Sequence, residues 1–343
     1  VLGNEFRLDL RCAPPASITA VPSAPTADAE RSVRDLARRL RETHGEAYAL
    51  LAPRIERELK LSASEVESGA LGAIDTFPFE ERALLLHCHE LLAAKRFADA
   101  LVVVSEREPS FWVKRDIARK AQWEACRLMG ELGVAAGAVR RAIDAAGPDA
   151  AGWVDAYTTR EGWHGVDRAQ RRLEALIAGL DEEPEKPLAI VRRLYEDVCH
   201  RMAEGFTKSL VRAKWSVPGV AQHTGVFAEH VANKSYPIAY FLVDAMRYEM
   251  GVDLTERLPP TAEFTIRPAI GVLPSITPIG MAALMPGAAA SFDLGVEKDK
   301  LGARVDGSFL PDLAARRKTP PRASRSSSTS RSTSCSPCRP RSS

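Results

Sequence analysis

After His230 the sequence contains no histidine, and only seven occur among its 343 residues. It has no Walker loop, GxSxG elbow, HExxH helix or GxGxxG turn. The commonest phosphate cradles, serine hydrolases, zincins and dinucleotide folds therefore have no anchor here. No apolar segment follows the charged opening Val1-Leu2-Gly3-Asn4-Glu5-Phe6-Arg7, so no secretory leader is expected from it. One uncharged stretch reaches membrane length, residues 268–292, but prolines at 268, 274, 278 and 286 exclude a lone spanning helix. Cysteine is sparse. Cys12, Cys88, Cys126 and Cys199 are scattered, which suits reduced thiols in a cytoplasmic protein. Cys335 and Cys338 form a single CxxC with no second pair, too few ligands for a structural zinc.

Hydrophobic residues at 45% and charged residues at 27% describe an ordinary globular chain. The net charge of +2 is an average of unlike parts. Residues 316–343 carry eight Arg and Lys and no acid, which leaves 39 bases against 45 acids, a net of −6, in residues 1–315. An acidic body offers no basic surface for non-specific nucleic-acid binding. The tail from about 318 is Ser-, Arg- and Pro-rich. It reads either as a solvated basic arm for nucleic acid or as out-of-frame text from a GC-rich gene, and the second reading is preferred. The missing initiator Met fits either a fragment or a recoded start.

Residues 1–27, rich in proline, are expected to be an irregular lead-in. A helical domain is expected over 28–230. Its best stripe places apolar residues at 188, 191, 194, 195, 198, 202, 206 and 210. Similar stripes cover Val33–Leu51, Ala83–Val104, Phe111–Leu132 and Ala169–Leu180, with breaks expected at Pro53, Pro78, Pro109, Gly147-Pro148 and Pro184/Pro187. From 235 to 315 the pattern changes to the opening of an α/β domain. Residues 237–243 form a continuous apolar run, expected to be a central strand. A helix from Met246 to about Leu258, a strand at 262–267 and a helix from Thr277 to Met285 follow.

Asp244 closes the expected central strand. There it would serve either as a divalent metal ligand or as the N-cap of the next helix. Thr277-Pro278 is a helix start, with a hydroxyl at the cap and proline behind it. The same geometry would suit a phosphate, and a hydroxyl beside a metal can attack phosphorus. His87 and His89 flank Cys88 but point to different helix faces. His164 sits among Trp153, Tyr157 and Trp163, which reads as helix packing.

Tyr240-Phe241-Leu242-Val243-Asp244-Ala245-Met246-Arg247-Tyr248-Glu249 and Leu273-Pro274-Ser275-Ile276-Thr277-Pro278-Ile279-Gly280-Met281-Ala282-Ala283-Leu284-Met285-Pro286-Gly287 resemble the start of the PglZ domain. That domain is similar to the alkaline phosphatase superfamily and occurs in BREX-type bacterial phage-defence systems. Ser110-Phe111-Trp112 and the stretch 153–172 look like the helical part that leads into it. The resemblance implies a metal-dependent phosphoester hydrolase with Asp244 as metal ligand, Thr277 as nucleophile, Ser275 as the fallback nucleophile, and a divalent ion such as zinc. It assigns no role to Arg247. It implies other phage-defence proteins as partners. The superfamily's further Asp and His ligands lie later in the chain, where this sequence offers Asp293, Asp299, Asp306 and Asp312 but no His. The expectation is therefore a truncated site, weakly active or inactive, with a non-catalytic helical assembly module as the alternative.

Overall fold

A computed structural model describes residues 1–318 apart from 15, 20, 63–65, 74, 75, 148 and 233. The expectations for the distal tail, including Cys335 and Cys338, lie outside the described residues. The chain is helical in its N-terminal region and turns to a small mixed α/β region after about residue 219. It divides into two compact units. One is Val1–Pro218 with Tyr248–Ala262, and the other is Gly219–Arg247 with the described residues from Glu263 onward.

In the helical unit, short polar side chains start the helices. Asp116 accepts from the Arg119 N–H at 3.1 Å and opens helix Ile117–Asp144. Ser110, Asp149 and Thr26 cap helices Phe111–Arg115, Ala150–Thr158 and Ala27–Thr43 in the same way. Helix Ile117–Asp144 is roughly 42 Å long at 1.5 Å per residue, and the unit packs around it. It buries Cys126, Met129, Gly130, Leu132, Gly133 and Ala136. Helices Phe97–Arg107, Glu185–Arg212 and His164–Ile177 lie against it. Two glycines set how closely the first of these approaches. A β-carbon at Gly133 would stand 2.4 Å from the Phe97 ring, and one at Gly130 would stand 2.8 Å from Leu101.

Two buried ion networks cross this core. Glu81 accepts from Arg107 Nε and Nη2 at 3.2 and 3.1 Å, from the Ser110 hydroxyl at 3.5 Å and from the Trp123 indole. Arg107 also donates to the Ala73 carbonyl at 3.2 Å. Glu5 takes a two-pronged contact from Arg41 at 2.6 and 2.7 Å and a bond from the Thr76 hydroxyl at 3.1 Å. Burying such charges is tolerable only with partners this complete.

Several expectations are corrected. The lead-in opens with helix Leu2–Asp9, whose Leu2, Glu5 and Phe6 are buried. Its prolines begin only at Pro14, after the helix has ended. Pro53 does not break a helix but lies inside Gly45–Glu58. The single stripes Val33–Leu51, Ala83–Val104 and Phe111–Leu132 are each two helices, parted at His44, at Lys95 and at Asp116. Lys95 makes its turn at φ +62°, a left-handed position taken without glycine.

The second unit contains a two-residue parallel pair, Ala221–Gln222 beside Ala269–Ile270. It also contains an antiparallel sheet of Asp293–Glu297, Lys300–Val305 and Ser308–Leu310. Ile279, Ala282, Ala288, Ala303, Val305 and Leu310 form its core. The expected strands at 237–243 and 262–267 form no strand pairing among the described residues. Phe241 is 83% exposed. An apolar run of this kind becomes a central strand only when neighbours bond both of its edges, and no described strand pairs with it.

Candidate functional site

The two residues singled out at the strand end and the helix start meet. The Thr277 hydroxyl donates to Asp244, with Oδ1 and Oδ2 both at 3.2 Å. Asp244 Oδ1 also accepts from the Ala245 N–H at 3.0 Å. Asp244, Ser275, Thr277 and Arg247 are all exposed. The helix after Asp244 begins only at Tyr248, so the carboxylate does not act as its N-cap. This leaves the carboxylate free to hold the threonine, 33 positions along the chain.

Helix Thr277–Ala283 differs from the expected cap in a useful way. Ile276 stands at the N-cap and no side chain caps the helix. The Thr277 hydroxyl is thus not spent on the helix's own backbone and is available to Asp244. Fewer amides are open to an anion than at an ordinary helix start. Pro278 has none, and the Ile279 N–H bonds the Ile276 carbonyl at 3.1 Å.

His223 belongs to no sequence motif. It follows Ala221–Gln222 directly, at the carboxyl end of the parallel pair, where open α/β sheets gather ligands. It is half-buried, its Nδ1 has no hydrogen-bond partner among the described residues, and burial pushes its imidazole pKa down. Gly271, just past the partner strand, lies against its ring, where an added β-carbon would sit 3.9 Å from Cε1. The only sequence signal was a two-residue strand, too short to stand out.

The downstream acids do different work. Asp293 begins a strand and Asp299 sits in a hairpin turn. Asp306 accepts from the Ser291 hydroxyl at 2.8 Å, and Asp312 accepts from the Ala315 N–H at 2.9 Å at the start of helix Leu313–Lys318. His230 is exposed beside Glu229. Among the described residues, no three His, Cys, Asp or Glu side chains converge as a metal site requires. In the helical unit, His87 lies 3.8 Å from Glu90. Burial lowers the pKa of His89, and the charge of Arg119 lowers it further. His164 donates from Nδ1 to the Tyr157 carbonyl at 2.7 Å and packs edge-to-face on Tyr248. No helix among the described residues is long and apolar enough to cross a membrane.

Residues 226–301 match a family model described as the BREX system PglZ alkaline phosphatase-like domain. A stretch of 79 residues is 37% identical to the alkaline phosphatase-like protein BrxZ of Escherichia coli O9:H4 (strain HS). That stretch covers 21% of this chain and 9% of the relative, so the similarity spans less than a tenth of that protein. No solved structure matches the chain significantly. The Asp244–Thr277 pair falls within the matched segment.

Proposed function

We propose that the chain is a cytoplasmic component of a BREX-type phage-defence system, working with other proteins of that system. Its 226–301 segment carries part of a phosphoester-hydrolysing centre. Thr277 is the nucleophile and Ser275 its fallback. Asp244 holds the hydroxyl and occupies the position of the family's metal ligand. The hydrogen bond between Thr277 and Asp244 inside the matched segment carries this reading. A hydroxyl is a weak nucleophile until a neighbouring group takes or holds its proton, and the carboxylate is within reach to do so.

A divalent ion is not accommodated by the residues described. Asp244 and Thr277 offer a carboxylate and a hydroxyl, whereas a zinc centre takes about three or four protein ligands, and none of the described His, Cys, Asp or Glu groups completes the set. Slow hydrolysis at most follows. A purified chain supplied with zinc and a bis-aryl phosphodiester should turn over weakly, and Thr277→Ala should lower that rate by about a hundredfold or more. Equal rates in wild type and Thr277→Ala would remove the nucleophile assignment.

The missing ligand group also favours a second reading, that the helical unit is a non-catalytic assembly module. No measurable turnover by wild type, with retention of a defence-system protein on the immobilised chain, selects that reading.

A further inference from the structure

The segment from Ala221 to His230 touches both parts of the second unit that carry the Asp244–Thr277 pair. On the threonine side, Ala221 and Gln222 pair with Ala269 and Ile270, and one step further in that register His223 stands opposite Gly271. A methyl placed on Gly271 would lie 3.9 Å from Cε1 and 4.0 Å from Nδ1 of the His223 ring, an ordinary contact. Five residues, Val272 to Ile276, join Gly271 to Thr277. Beyond them helix Thr277–Ala283 packs on the short turn His223–Gly225. Both ends of the loop that carries Ser275 and Thr277 therefore rest on His223 and its neighbours. On the aspartate side, the Phe227 ring meets the Tyr240 ring edge-on at 5.9 Å, and the Tyr240 hydroxyl donates to the Leu284 carbonyl at 3.2 Å. Tyr240 lies four positions before Asp244.

The His223 ring suits this place only while it is neutral. It is half-buried, burial alone pushes its pKa down, and Nδ1 has no hydrogen-bond partner among the described residues. Around it, strand Ala269–Ile270 and helices Thr277–Ala283 and Ala288–Ser291 carry no acidic or basic side chain, and helix Val226–His230 carries Glu229 and His230. Glu229 turns to Gly225, where a β-carbon would stand 3.0 Å from its Oε1, and lies 3.9 Å from His230. We propose that His223 is a positioning residue for Thr277, its ring the wedge that holds the 271–276 loop at the level where the hydroxyl meets Asp244. A second ring proton would make both nitrogens donors in a seat that offers Nδ1 no acceptor. The charged ring then leaves for solvent and the loop shifts with it. This role rests on the reading of Asp244 and Thr277 as the working pair, and all three residues belong to one compact unit.

The test follows two resonances in the full chain, the Thr277 methyl and the carbon-bound ring protons of His223. Asp244→Asn marks where the methyl signal lies once its partner is changed. His223→Ala should move the Thr277 signal toward that position, and His223→Phe, which keeps a flat ring of similar size, should leave it near wild type. As pH falls from about 8 to about 5, the wild-type Thr277 signal should move the same way, with the midpoint shown by the His223 ring itself. The same scan of His223→Phe should be flat, while His230→Gln should titrate as wild type does. The proposal is overturned if the Thr277 signal ignores the His223 midpoint, if its titration survives in His223→Phe, or if folded His223→Ala leaves it in place. The wild-type scan needs no variant, so a misfolded His223→Ala does not shelter the proposal. None of these signals depends on turnover. An unchanged rate in Thr277→Ala would remove the hydrolytic reading, whereas a Thr277 signal indifferent to His223 would remove only the positioning role.

Discussion

Glu81 and Arg107 show how much a single side chain can decide in this molecule. Both are essentially excluded from solvent, and the carboxylate accepts from an arginine, a serine and a tryptophan. Replacing Glu81 by Ala would strand the Arg107 charge in the core, a loss of about 3–5 kcal/mol. Urea unfolding of Glu81→Ala should show it as a lowered midpoint at similar slope. Gly133→Ala is a steric counterpart, since its β-carbon would press on the Phe97 ring at 2.4 Å. Overpacking of this kind costs about 1–3 kcal/mol. Neither residue was legible in the sequence. Glu81 and Arg107 lie 26 positions apart on separate helices and read there as ordinary solvated charges. Asp244 and Thr277 were legible because local grammar marks them: an acid that ends an apolar run, and a hydroxyl before proline.

At the scale of elements, periodicity located the helices and misjudged their joints. A stripe continues across a sharp corner when the next helix also faces the core, so Ala83–Val104 read as one helix although Lys95 turns the chain between two. The three-stranded sheet was missed although Asp306-Gly307 is a strong two-residue hairpin signal, with φ of +48° and +76°. Its apolar residues are few, and the surrounding text hid the alternation. Helix Tyr248–Glu256 carries a pH dependence of its own. Burial works to raise the Asp253 carboxyl, but hydrogen bonds from Arg171 and Arg168 and the charges of Arg171 and Arg172 outweigh it and hold the group below the usual carboxylate range. A depressed carboxylate contributes its stability above the unfolded pKa of about 3.9 and loses it as pH falls through the folded value. The gap in melting temperature between wild type and Asp253→Asn should therefore be constant near neutrality and close as pH falls below about 4.

For the whole molecule, the sequence suggested a helical domain over 28–230, whereas the compact helical unit gathers residues from both outside those limits. Cutting at 28 removes helix Leu2–Asp9 and the Glu5 partner of Arg41, and cutting at 230 removes the carboxylates that neutralise Arg168, Arg171 and Arg172. A fragment of residues 1–262 should accordingly melt higher, and more cooperatively, than one of 28–230 when followed by circular dichroism. Equal melting curves would deny both outlying helices a share in the fold. The boundary was hidden because the ion pairs that hold the unit together join positions about eighty apart, across the change of pattern at residue 235. The apolar run of 237–243 has a consequence for how copies of the chain meet in solution. With Phe241 83% and Val243 57% exposed and no strand paired with them among the described residues, the run offers open backbone edges and greasy side chains together. Such a stretch is a template on which another chain can pair, and Phe241→Lys should lower aggregation of the purified chain as followed by light scattering.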